Sequence, residues 1–168
     1  NSVIYYNIFD DVDAKGCLEL SGNKMILFGK HQEDVQLIFS EKNQPFIKAT
    51  SKRFKIQDSG VFSENSKINL LWNKDSIVHP QLNLLYDRKN KILNLSREKV
   101  NLGFSPIRSS YHQLDCFFDR MEWHKDSASL FFFNDDHPAL LESFDFYNES
   151  RYDDIAFINK RHPIIILR

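Results

Sequence analysis

The side chains able to do chemistry are scattered along this chain. Three of the six histidines stand directly before proline, as His79-Pro80, His137-Pro138 and His162-Pro163. Proline drives its predecessor into extended geometry. Each pair therefore reads as a strand-entry or turn position whose imidazole serves local backbone groups. The competing reading is a shared metal or acid–base site, for which Asp135-Asp136-His137 is the best local group. Zinc requires three or four ligands converging at about 2 Å. No HxH, HExxH or CxxC spacing places two neighbouring ligands on one element, so neither a metal nor any other cofactor is expected. A hydrolase using His137 with Asp135 or Asp136 is retained as the enzymatic alternative.

Other constellations are weaker. Asp10, Asp11, Asp13 and Gly16 recur at spacings reminiscent of a calcium loop. Counted from Asp11, the loop glycine falls correctly at Gly16, but Lys15 stands at a ligand position and Gly22 replaces the closing glutamate. A solvated acidic turn is the expectation. Cys17 and Cys116 match no metal or redox spacing; they could pair in an oxidising compartment, but two buried thiols are the expectation. Cys116 lies near His112 and Asp115, but on a strand His112 and Cys116 would be ~13 Å apart. No GxSxG elbow or glycine-rich phosphate loop occurs. Aromatic rings give the remaining candidate: Trp72, Tyr86, Tyr111 and Trp123 would form a sugar-stacking platform if exposed, against the plainer reading that they pack in the core. Asn94-Leu95-Ser96 and Asn148-Glu149-Ser150 match the glycosylation pattern.

The elements that must position these groups read as strands. Three triplets, Ile68-Asn69-Leu70, Leu82-Asn83-Leu84 and Leu93-Asn94-Leu95, repeat the two-residue period of a half-buried strand. They predict three consecutive antiparallel strands, with Asn73 to Pro80 and Asp87 to Lys91 as turns. Before them, Val3 to Phe9, Cys17 to Leu20, Lys24 to Phe28 and Val35 to Phe39 are strand-like, the second and third joined by Ser21-Gly22-Asn23. The polar run Ser40 to Gln44 and Pro45 end the fourth. Phe46 to Ile56 makes one or two strands, and Asp58-Ser59-Gly60 a turn. After the triplets come Val100 to Phe104, then Tyr111 to Trp123 as two strand halves joined by a bulge, then Ser129 to Phe133. Apolar spacings of three and four from Pro138 to Phe157 suit one or two short helices, and Ile164 to Leu167 closes the chain as a strand or extended tail.

With 168 residues the chain is long enough for one domain with a real core. Fifteen phenylalanines among many β-branched residues tilt it toward β. A net charge of −1 with no basic stripe argues against a nucleic-acid partner. The longest purely aliphatic run, Ile164 to Leu167, is far shorter than the ~18 residues of a membrane-spanning helix. The fold expected is mainly β: an antiparallel sheet, sandwich or extended repetitive sheet, with a short helical segment near the C-terminus. Residues 1–168 are read as a single β-rich domain excised from a longer protein.

The run Asp75-Ser76-Ile77-Val78-His79-Pro80, with Leu82, Leu84, Tyr86-Asp87, Leu93, Leu95 and Arg97, resembles β-rich segments of very large uncharacterised proteins from the Bacteroidetes. Tyr111-His112, Leu114-Asp115, Trp123, Glu142-Ser143, Arg151-Tyr152 and His162-Pro163 add to the resemblance. It implies a secreted or cell-envelope location and names no site residue. The function expected is a non-catalytic structural or protein-binding β module. Its partners would be neighbouring domains of the same chain or another protein. A carbohydrate-binding module with a glycan ligand is the second reading.

Overall fold

A computed structural model describes residues 3–22, 24–42, 44–72, 75–97, 106–110, 114–127, 129–135 and 140–143. Fourteen strands follow in order: β1 (Val3–Phe9), β2 (Val12–Ser21), β3 (Lys24–Phe28), β4 (Val35–Glu41), β5 (Gln44–Ser51), β6 (Arg53–Gln57), β7 (Gly60–Trp72), β8 (Asp75–Asp87), β9 (Ile92–Ser96), β10 (Ile107–Ser109), β11 (Leu114–Phe117), β12 (Arg120–His124), β13 (Ser129–Phe133) and β14 (Leu140–Ser143). All belong to one antiparallel sheet. Single 3-10 turns occur at Lys30–Gln32 and Lys125–Ser127.

The pairing reduces this list to a simple pattern. β8 lies against β7 along its whole length, from Gly60 opposite Asp87 to Trp72 opposite Asp75. The other side of β7 is shared by β6 and β5, which must therefore lie end to end. By the same logic β3 and β4 share one side of β2, and β1 takes the other. Beyond β8, β9 with β10, β12 with β11, and β13 with β14 make further end-to-end rows. Among the described residues the sheet is thus an up-and-down meander of nine rows in strict chain order.

The interruptions within these rows line up. Row by row, the ladder breaks at residues 29–34, at Lys52, at Ser63–Ile68, at Pro80–Gln81, after Ser96, at Phe118–Asp119 and after Phe133. Together they form a crease running across the strands. Bulges and bends are how strands turn the corner between two packed layers. Here the corner is shared by the whole sheet, which folds back so that its apolar face meets itself. Phe39 on β4 packs edge-on to Tyr86 on β8 and to Trp123 on β12, and Phe46 on β5 lies 5.2 Å from Trp123. Each pair joins one side of the crease to the other. Leu27, Leu37, Ile47, Phe54, Leu84 and Leu93 fill the space between.

Glycine is required where the crease is tightest. A Cβ on Gly16 would stand 2.7 Å from Val35 Cγ1 and 3.0 Å from Leu27 Cδ1, the point where β3 and β4 meet beside β2. At the entry to β7, Gly60 has φ +151°, and a Cβ there would stand 1.7 Å from the Tyr86 carbonyl oxygen.

The three triplet strands, the Ser21-Gly22-Asn23 hairpin and the two halves of Tyr111 to Trp123 are found as expected. Three expectations are corrected. Asp75 to Pro80 is the first half of β8 rather than a turn, because Ile77 and His79 continue the buried face. Pro45 lies inside β5, beyond the last residues that pair in regular register. Leu140 to Ser143, expected as helix, is β14, recruited by pairing with β11. The rest of the expected helical stretch, Val100 to Phe104 and Ile164 to Leu167 lie outside the described residues.

Candidate functional site: a polar crease

A strand that bulges frees N–H and C=O groups from its ladder, and buried groups of that kind need partners. Along the crease, side chains supply them. Ser63 Oγ donates to the Arg53 carbonyl at 2.7 Å and lies 2.9 Å from Ser51 Oγ. Both hydroxyls are near the Glu64 carbonyl, and Ser51 Oγ accepts the Arg53 N–H at 3.5 Å. Two residues further along β7, Asn65, at φ +54°, accepts the Gln81 side-chain amide from β8 at 2.6 Å on its Oδ1, while its own N–H donates to Asn83 Oδ1 at 3.4 Å.

His79 belongs to this set. It is buried, opposite Ile68, and its Nδ1 accepts the Gln81 N–H at 3.0 Å. The histidine before Pro80 thus caps the bulge that the proline and Gln81 create. His137 and His162 lie outside the described residues.

Further along, the Arg97 N–H donates to the Asp119 carbonyl and its Nε to the Phe118 carbonyl. Burial lowers the Arg97 guanidinium from its ordinary range, and Asp119 partly opposes that. Asn134 Oδ1 accepts the Asp119 N–H at 2.9 Å, and Asp119 Oδ2 accepts the Asp135 N–H at 2.9 Å. Asp135 itself is exposed on this turn, and Asp136 and His137 lie outside the described residues. Among the described residues no three His, Cys, Asp or Glu side chains gather into a set that could hold a metal.

The aromatic platform does not assemble as drawn from the sequence. Tyr86 is 2% and Trp123 1% exposed, at the centre of the contact between the two layers. A ring closed in on both faces cannot stack on a sugar. Both sit at alternating positions of strands whose apolar face is turned inward. Trp72 ends β7 without a described side chain, and Tyr111 lies outside the described residues. Cys116 is buried on β11, and burial pushes its thiol up to about 12, with Asp115 adding to the effect. Cys17 is also a free thiol but only half-buried, so of the two thiols expected to be buried only Cys116 is.

One cluster escaped the sequence reading. Arg120, Glu122 and His124 alternate along β12 on the outer face. Arg120 Nη1 reaches one oxygen of the Glu122 carboxylate at 2.6 Å, and His124 Nε2 the other at 3.2 Å. Opposite them on β13, Phe133 lies under the Arg120 guanidinium at 4.4 Å, and Phe131 meets the His124 ring edge-on at 4.9 Å. The two phenylalanine rings are stacked, 6.5 Å apart. The signal was present in Arg120-Met121-Glu122-Trp123-His124, a strict polar–apolar alternation masked by the search for separate catalytic motifs.

Neither this cluster nor the fold points to a known relative. No protein family, curated protein or solved structure matches the chain.

Proposed function

We propose that this chain is a non-catalytic structural or protein-binding β module, working within a larger surface or envelope protein. The observation that carries the reading is how its polar groups are used. In the crease, Ser51, Ser63, Asn65, His79, Gln81, Asn83, Arg97, Asp119 and Asn134 each partner backbone or one another across the fold. The same groups that would be candidates for acid–base work hold the sheet's corner. His79 is the clearest case: its Nδ1 lone pair already accepts a hydrogen bond from the Gln81 N–H.

The test is a turnover panel of esters, glycosides and peptides, with a glycan array beside it, on the intact chain and on His124→Ala. The expected result is no turnover and no glycan retained by either protein. Turnover lost in His124→Ala would overturn the reading in favour of a hydrolase. Glycan binding lost in a Phe131→Ala, Phe133→Ala double variant would move it to the carbohydrate reading, because those rings are the stacked pair on the outer face.

A further inference from the structure

We infer that the β1 edge pairs with the same edge of a second copy of this chain, giving a two-fold dimer through an antiparallel β1–β1 ladder. This deepens the protein-binding reading and rests on it. Among the described residues β1 pairs only with β2, so its far side presents unpaired backbone N–H and C=O groups. Such an edge is a template for another strand, and proteins usually blunt it with lysine, proline or bulges. Here Val3–Phe9 contains neither proline nor any charge. The bulge near Asn7, at φ +51° and held by Asp13 Oδ1 on the Asn7 N–H, twists only the later half away. Val3 to Tyr5 keep regular register with β2, and Val3 is 49%, Ile4 48% and Tyr6 73% exposed.

The lack of charge is what selects a second copy. Like charges opposite one another destabilise a ladder, and most strands meeting themselves would suffer that repulsion. β1 does not. A two-fold axis normal to the sheet keeps inner faces with inner faces, which requires a register centred on a residue. Centring on Tyr5 places Tyr5 opposite its copy and Ile4 opposite the partner's Tyr6, twice over. Aromatic with β-branched is among the favourable cross-strand pairs. Closed two-fold pairing is also the commonest symmetry of soluble oligomers.

The ladder is short, well under the ~800 Å² per partner of a standard interface, so dissociation constants from about 10 µM to about 1 mM are expected. Sedimentation velocity over that range should show a monomer converting to dimer. Ile4→Lys should weaken dimerisation at least tenfold, while Leu85→Lys, at an exposed apolar site on β8, should not. Amides of Val3 to Tyr6 should exchange more slowly at high concentration than at low in the unaltered protein, a readout independent of any variant's folding. A monomer throughout, with concentration-independent exchange, or a dimer indifferent to Ile4→Lys, would overturn the inference. The turnover panel and glycan array decide the module reading separately, so either can fail alone.

Discussion

At the scale of the residue, burial decides reactivity. Cys116 is enclosed on β11 and its thiol is pushed up to about 12 from 9.0, first by desolvation and then by Asp115. A thiol reagent at pH 8 should label Cys17 alone, and Cys116 only after denaturant is added. The same shift makes a stability prediction. The folded pKa lies above the unfolded one, so the contribution is fully present below pH 9 and is lost as pH rises toward about 12. Tyr86 is raised from 10.0 in the same direction, by burial and then by Asp10. Urea midpoints should therefore hold from pH 7 to about 9 and fall above it. Asp87 works at the other end. Hydrogen bonds from Asn90 and Lys89 hold its carboxyl below 3.8, so the turn after β8 should loosen only in acid. Backbone strain gives a third test. Gly60→Ala sets a Cβ 1.7 Å from the Tyr86 carbonyl at φ +151° and should cost more than about 2 kcal/mol by thermal melting.

At the scale of the element, two serines one bulge apart should behave oppositely. Ser63→Ala removes the donor to the Arg53 carbonyl and the neighbour of Ser51 Oγ, and should cost about 1–3 kcal/mol. Ser66 is equally buried but its hydroxyl has no hydrogen-bond partner among the described residues, so Ser66→Ala should be neutral or stabilising. Chemical denaturation of both variants decides it.

This is also where the sequence was and was not legible. Period-two alternation is local, so Val3 to Phe9, the triplets and Ser129 to Phe133 could be read directly. The crease could not, because Ser51, Ser63 and Ser66 look like any serines until neighbouring rows place them side by side. Asp75 to Pro80 was misread because His79 and Pro80 are turn-like residues used inside a strand, one as a buried cap and the other at a bulge. Leu140 to Ser143 has helical spacing and became a strand because β11 offered it an edge. Of the expected platform, Tyr86 and Trp123 were recognisable as important aromatics, but only the folding-over of the sheet turns them inward.

At the scale of the whole molecule, the closure between layers rests on few groups. Trp123 touches both Phe39 and Phe46 across the interior, and Trp123→Ala should cost about 3–5 kcal/mol in a chemical melt. At the rim, Lys125 donates to the Asp10 carbonyl at 2.8 Å and to Asp11 Oδ2 at 2.7 Å, tying the turn before β2 to the turn after β12. This pair is partly exposed and should contribute only about 1 kcal/mol, less at high salt. Lys125→Met measured at two ionic strengths tests that.

The strict chain order of the rows has a consequence for assembly. Each row hydrogen-bonds to the one made just before it, so the sheet can lengthen while the chain is still emerging from the ribosome or a translocation pore. The face that row three and row four must hide has to wait, because Phe39 meets Tyr86 only when β8 is made, and both Phe39 and Phe46 meet Trp123 about eighty residues after themselves. During that interval the nascent sheet is a sticky surface, and that is the stage at which a holding chaperone would have something to hold.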